Sequence, residues 1–508
     1  MNKKNFKNVG DNFDYIFSRF ANNPAIYLEN EKKEITYLEI KEKVDHVMKQ
    51  FLIQNAKKGD ICIIFNNKSP LGFACIISCI YLGIVFINLD KNSPIERLQK
   101  IFSKCKPNFL INFCLEEEIL DKLNNKFNFI LIDLINNQNT AKYDINNFER
   151  PNLNSPLYAM FTSGSTGFPK GVLITHNNLL NFIYWAKERF KIKEFDRLTN
   201  INPIFFDNFI FDFFASFLSG ACLVPFSENT LNKPKVLLEN LYEAKCSIWF
   251  SVPSLLIYLM RIKILDMKYF ASVRTILFGG EGFPKKHLKI LYEKCKKNIT
   301  LENVYGPTEC TCICSSHKID QADFINMIDF APLGKLAKSF SYFIDPIDPL
   351  EKDKGELILF GPSVGFGYLN DIEITEKAFI KSSNNNNFAQ IGYKTGDIVR
   401  KDKDEVFYFI SRKDHQIKKM GYRIELGEIE AATNNIKGVY ESVAIYKELE
   451  EGLGIIKLFL AADPFINELM ISKLLSNQLP KYMLPKTIKI IEKLPKNANG
   501  KIDRGKLI

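Results

Sequence analysis

A polar loop, TSGSTGFPKG at residues 162–171, separates two apolar runs, YAMF before it and VLITH after it. Gly164, Gly167 and Gly171 open backbone conformations closed to other residues and allow close approach to a ligand. Successive N–H groups in such a turn form an anion-binding nest. Thr162, Ser163, Ser165 and Thr166 add hydroxyl donors, and Lys170 adds a mobile positive charge. The chemistry on offer is the holding of a phosphate chain. The spacing is not that of the Walker loop, since Pro169 stands five places after Gly164 and Lys170 precedes Gly171. Taken alone, the loop reads first as an ordinary Ser/Gly surface turn, and the rest of the chain has to decide.

The elements around it must come from a large chain. Its 508 residues exceed one compact core and suit about two to four domains. A hydrophobic content of 46% with 25% charged residues is that of a soluble globular protein. The net charge of +10 is spread along the chain, which excludes a nucleic-acid arm and leaves mild affinity for an acidic partner. The N-terminus lacks a secretory core, and eleven cysteines follow no disulfide framework, so a cytoplasmic protein is expected. Cys310, Cys312 and Cys314 alternate, which on a strand puts them on one face; buried thiols are expected there, not a metal site. Residues 71–89, LGFACIISCIYLGIVFINL, are nearly long enough to span a bilayer. Gly83 and the β-branched run after it predict instead a buried helix followed by a buried strand, with no membrane insertion.

The pattern predicts an α/β fold with parallel sheets and helices over residues 1–333. A Gly-punctuated, strand-rich unit follows over 334–411, completing an N-terminal core of 1–411. A polar seam, SRKDHQIKKMG, opens a small α+β C-terminal domain, 412–508.

Eight segments then occur in one order: YLGIVFINLDKNSPIERL, FTSGSTGFPKG, FFDNFIFDFF, GGEGF, NVYGPTEC, YKTGDIVR, SRKDHQIKKMGYRIELGEIE and LPKNANGKIDR. Together they resemble the motifs of the adenylate-forming (ANL) superfamily, and within it the amino-acid-activating adenylation domains. The surface-turn reading of the loop falls with that agreement. The resemblance implies two steps: a carboxylate attacks the α-phosphorus of ATP, giving an acyl-adenylate and pyrophosphate, and a thiol then takes the acyl group as a thioester.

By the same resemblance, the loop and Lys170 hold the triphosphate, and Gly280, Glu281, Tyr305, Gly306 and Thr308 belong to the nucleotide site, with Tyr305 offering a flat face to adenine. Asp397 and Arg412 serve the ribose, and Glu309 carries Mg²⁺, which suits one or two carboxylates plus phosphate oxygens. Lys501 enters the site and bridges the substrate carboxylate and the α-phosphate. Lys413–Asp414 resembles the hinge about which the C-terminal domain rotates, withdrawing Lys501, admitting the thiol and presenting Gly421. The substrate pocket maps to Asp207, Asn208, Phe211, Phe250, Leu277, Gly279, Val304, Cys312, Ile313 and Lys501. Asp207 and Lys501 would grip an amine and a carboxylate. Phe211 and Phe250 would narrow the pocket and Gly279 would leave depth, for a small or branched aliphatic amino acid.

Two rival readings fit less well. An acyl-CoA synthetase shares the loop, TGD and the tail lysine, but Asp207, Pro307 and Gln416 follow the amino-acid-activating form. A silent nucleotide-binding scaffold conflicts with the intact Lys170, Glu309, Asp397 and Lys501. Phe168 and Ser411 depart from the family pattern without removing a catalytic group. With no carrier segment after Arg504, the chain resembles stand-alone peptide-synthetase adenylation enzymes and D-alanine–carrier protein ligases. That implies a separate phosphopantetheinylated carrier protein as acceptor, with coenzyme A left open.

Overall fold

The computed structural model describes residues 6–134, 148–164, 167–295, 298–327, 330–382, 390–449, 454–496 and 502–507. Two sheets build the larger part. A seven-stranded sheet runs in the order Gly367–Tyr368, Lys170–Thr175, Pro156–Thr162, Val85–Asn88, Ile61–Phe65, Phe109–Asn112 and Ile130–Leu131. It is parallel from Pro156–Thr162 onward and antiparallel at its other edge. A nine-stranded sheet is centred on the parallel strands Thr300–Tyr305, Thr275–Gly279, Ile248–Ser251, Arg197–Asn200 and Cys222–Pro225. The α/β reading of the sequence holds.

The apolar run at 71–89 is a helix, Pro70–Leu82, and a strand, Val85–Asn88, joined through Gly83 at φ 68°. Ser69 caps the helix by accepting the Gly72 N–H. Every residue from Gly72 to Leu82 is buried. Phe73 stacks on Phe209 and Phe213, and Ser78 donates to the Val44 carbonyl of helix Tyr37–Ile53. The helix is apolar all round because it has protein on every side. Among the described residues no helix is long and apolar enough to cross a membrane.

A five-stranded antiparallel sheet follows: Ser341–Pro346, Lys354–Phe360, Gln390–Lys401 and Phe379–Ser382, with Phe407–Arg412 paired to Gln390–Lys401. Beyond it, the hairpin Gln416–Lys419 and Tyr422–Glu425 turns through Met420 and Gly421, both at positive φ. Helix Leu426–Asn434 and the sheet Val439–Glu448, Gly454–Ala462 and Thr487–Ile490 enclose their own core, including Ile429, Leu458, Ile471 and Met483.

The cysteine trio does not lie on a strand. Cys310 ends a short 3₁₀ turn, Thr311 and Cys312 take φ of 58° and 75°, and the strand starts only at Ser315. The three thiols are buried, and all eleven cysteines are free. Among the described residues no group of three His, Cys, Asp or Glu is placed to hold a metal.

His176 ties the N-terminal helix to the rest: its Nδ1 accepts the Val9 N–H at 3.2 Å, and its ring is buried. Burial lowers its pKa to about 3. The unfolded chain therefore takes up this proton at a higher pH than the folded one, so stability is lost as pH falls from about 6.5 towards 3. Thermal melts across that window should show a shallower slope for His176→Gln than for the parent.

Candidate active site

The antiparallel pair Pro156–Thr162 and Lys170–Thr175 pins the two ends of the polar loop side by side, with Thr162 opposite Lys170. Gly164 is required there, since a Cβ would stand 2.0 Å from the Phe168 carbonyl oxygen. Ser165 and Thr166 lie outside the described residues, as does Lys501.

A cavity of about 260 Å³ opens beside the loop. Thr162, Ser163, Asp207, Asn208, Phe250, Gly280, Val304, Gly306, Thr308, Cys312, Ile313, Asp397 and Arg412 all line it. Residues scattered over 250 positions of chain thus meet at one place. A neighbouring cavity of about 200 Å³ holds Tyr305, Glu281 and Gly282 and shares Gly280, Val304, Asp397 and Arg412.

Three pocket expectations need correction. Phe211 and Leu277 do not line the cavity; both are fully buried, and Phe211 packs edge-on behind Phe250 with ring centroids 5.3 Å apart. Gly279 leaves no depth either. A Cβ there would meet the Val304 carbonyl oxygen at 2.3 Å and its Cγ2 at 2.7 Å, so the glycine serves the close approach of two strands and Val304 fills the space. Of the expected pocket residues, the apolar ones that line the cavity are Phe250, Val304, Cys312 and Ile313.

The polar groups form a network. Asp207 accepts from the Thr308 hydroxyl at 2.6 Å; burial raises its pKa despite that bond and the nearby Lys418 and Arg423. The Tyr305 hydroxyl donates to Asp397 at 2.6 Å, and Arg412 donates to the other Asp397 oxygen at 2.8 Å. Arg412 also grips Asp414 at 2.9 and 2.6 Å. Lys413 pairs with the buried Glu356 at 2.6 Å. Lys170 sits on the far side of the loop, its Nζ 5.9 Å from the Tyr368 ring centroid.

Besides Gly421, the C-terminal hairpin and the helix after it supply residues to which the sequence assigned no role. Arg423 pairs with Glu309 at 2.7 Å, and Glu309 also accepts the Tyr368 hydroxyl at 2.8 Å. Glu309 is 0% exposed; burial alone would raise its pKa, but Arg423 and Tyr368 outweigh burial and hold it below the usual carboxylate range. Gly421 donates its N–H to Glu281 at 3.0 Å. Glu428, on the following helix, accepts the Gly164 N–H at 3.2 Å and pairs with buried Arg97. Lys418 lies over the Tyr305 ring at 5.5 Å, its pKa lowered by burial against the pull of Asp397. The signal for these residues is present in KKMGYRIELGEIE, where basic and acidic side chains crowd a segment otherwise read only as a motif. Buried Asp212 was also missed: it takes Asn200 and Asn202 amides at 3.0 Å each, and burial pushes its pKa up to about 7.

A family model described as AMP-binding enzyme matches residues 13–369, most of the chain, and covers the loop, Asp207 and Glu309. The chain is an AMP-binding enzyme. It belongs to the adenylate-forming superfamily and is an AMP-forming ligase. Among similar proteins, this AMP-binding enzyme is 29% identical to the L-proline--[L-prolyl-carrier protein] ligase of Pseudomonas fluorescens, over 96% of each chain. It is 29% identical to the D-alanine--D-alanyl carrier protein ligase of Bacillus licheniformis, over 94% of this chain and 95% of that one. It matches one of the mycosubtilin synthase proteins of Bacillus subtilis at 28% identity, spanning 98% of itself but 19% of that protein. Among solved structures, o-succinylbenzoate CoA synthetase of Bacillus subtilis superposes with a TM-score of 0.85 at 21% identity, over 98% and 97% of the two chains. The fused adenylation–PCP di-domain NpsA-ThdA of Klebsiella oxytoca gives 0.82 at 21%, over 96% and 94%. At such identity these two establish the fold of the AMP-binding enzyme and nothing finer.

Proposed function

We propose that this enzyme activates a small aliphatic amino acid with ATP and passes it to the phosphopantetheine thiol of a carrier protein, in the cytoplasm. One observation carries the reading: the Asp207 carboxylate, fixed by Thr308, lines the same cavity as the apolar, uncharged Phe250, Val304, Cys312 and Ile313. A carboxylate there suits the α-ammonium of an amino acid and has no partner in a fatty or aryl acid. A charged substrate side chain on Phe250, Val304, Cys312 and Ile313 would be buried unpaired at a cost of several kcal/mol. With the space beside Gly279 already filled by Val304, side chains of alanine size fit there better than branched ones. The two full-length relatives named as carrier-protein ligases support the acceptor.

In this reading the phosphate loop and Lys170 hold the triphosphate, the second cavity takes adenine against Tyr305, and Asp397 with Arg412 takes the ribose. Glu309 fits a Mg²⁺ ion: it is a buried carboxylate that already holds a cationic group, and Mg²⁺ accepts one protein carboxylate beside phosphate oxygens. When bound, the ion shields phosphate charge. Lys501 bridges the two reacting anions in the first step. The domain boundary falls at 411/412 and the hinge at Lys413–Asp414. The orientation described, with Gly421 and Arg423 turned to the cavity, is that of thiol transfer; Val252, Leu255, Phe206, Tyr422 and Tyr482 extend the cavity as an apolar passage for the thiol arm.

ATP–pyrophosphate exchange with every proteinogenic amino acid, glycine and D-alanine included, tests the substrate. Alanine or glycine should lead; a preference for Asp, Glu, Lys, Arg or an acid lacking the α-amine refutes the pocket assignment. Asp207→Ala should raise the amino-acid KM by about 10–100-fold, the worth of a charged hydrogen bond. Transfer to an acidic carrier should weaken as salt rises, since the enzyme carries +10. Efficient thioester formation with free coenzyme A and none with a carrier would replace the acceptor.

A further inference from the structure

A third opening, of about 400 Å³, lies behind the phosphate loop. Lys170, residues of helix Ile372–Ala378 and strand Gln390–Lys401, and Arg412, Lys413 and Arg423 line it. Six cations line it (Lys170, Lys377, Lys394, Arg412, Lys413 and Arg423) against three acids, Glu356, Asp414 and Glu425. Much of this charge is already engaged. Arg412 and Lys413 have acidic partners, and Arg423 is held by Glu309. Lys170 and Lys394 make no ion pair with any described residue, and Lys377 has only the exposed Glu373, one turn away on its helix. Such an exposed pair is worth little. Lys170 feels the carboxylates of Glu425 and Asp371, so the unspent positive charge of the cleft lies at Lys377 and Lys394.

What needs that charge follows from the opposite side of the loop. In this orientation the Gly164 N–H is taken by Glu428, and Glu309 is taken by Arg423. An anion and a cation of the C-terminal part thus occupy the groups assigned to phosphate and to its counter-ion. The cavity beside Asp207 shares only Thr395, Arg412 and Arg423 with the cleft, and its remaining lining is largely apolar, with Leu231, Leu255 and Tyr482 among it. A polyanion released from the loop has a poor route through that cavity and a favourable one past Lys170.

We propose that the part of this cleft lined by Lys377 and Lys394 is a second pyrophosphate site beyond Lys170, through which the product of the first step leaves while the hairpin covers the cavity. The proposal rests on the adenylation reading above. Lys377 and Lys394 are exposed and belong to no catalytic assignment, so they can be changed without touching the chemistry. In exchange assays at saturating ATP and alanine, the pyrophosphate concentration for half-maximal rate should rise about tenfold in Lys377→Gln/Lys394→Gln, as expected for losing two charges beside a polyanion. The ATP KM and the melting temperature should stay at parent values. An unchanged pyrophosphate requirement overturns the proposal, as does an ATP KM that rises by the same factor, which would place the lysines on the bound triphosphate. Calorimetric titration of inorganic pyrophosphate into ATP-free enzyme gives a second arm. If the parent exchanges with no amino acid, the adenylation reading fails on its own, and the titration decides the cleft: a site weakened by Lys394→Gln keeps it, and no such site removes it.

Discussion

Lys501→Ala should cut adenylate formation by several orders of magnitude and leave thioester formation from supplied adenylate near the parent rate. The first step forces a carboxylate against an α-phosphate, and a positioned ammonium between two anions in a water-poor site stabilises the developing charge far more than it would in water. The second step has a neutral thiol or its thiolate attacking a mixed anhydride, and Lys501 is assigned no part in it. In the orientation described, Lys418, Gly421, Tyr422 and Arg423 of the hairpin line the cavity. Single-turnover assays of each half-reaction separate the outcomes. Equal loss in both would remove the alternating role, and an unaffected first step would remove the lysine from the chemistry.

The fold and the meeting of the motifs were largely legible in the sequence because both rest on local patterns. Gly83 breaks a run that is otherwise apolar all round, and helix, left-handed glycine and strand follow directly. Asp207, Thr308 and Asp397 could be set around one cavity because each stands in a motif with its own signature. Packing across elements was less legible. Gly279 read as spare depth because a missing side chain leaves room only when no neighbour moves in, and Val304 of the adjacent strand does. Phe211 read as a wall, although a π-helical turn at Phe211–Ala215 rotates it behind Phe250. The cysteine trio read as alternating until Thr311 and Cys312 took left-handed conformations. Arg423 and Glu428 stayed without roles for a different reason. Their partners, Glu309 and Gly164, lie 114 and 264 residues away in the chain, and no local pattern announces such a contact.

The Arg423–Glu309 pair leads to the counterpart of the lysine experiment. Arg423→Ala should leave adenylate formation within a few-fold of the parent and lower thioester formation by about 100-fold or more. Glu309 is 0% exposed, and the Arg423 guanidinium is its cationic partner in the orientation described. Removing one partner of a buried pair strands the other charge at a cost of about 3–5 kcal/mol. The cost falls on this orientation alone, because in the adenylating one Glu309 is assigned to the metal-bound triphosphate. A domain equilibrium biased by that amount depopulates the transfer state by more than about a hundredfold. Glu309→Gln would confound the test by removing the proposed metal ligand as well, so the arginine is the informative position. Arg423→Lys keeps the charge but loses the planar fork, and its transfer rate should lie between the two. Pre-formed aminoacyl-adenylate and carrier, mixed in stopped flow, read the transfer step directly. Parent-like transfer in Arg423→Ala, or adenylation reduced to the same degree, would show that the Arg423–Glu309 pair does not hold the transfer orientation.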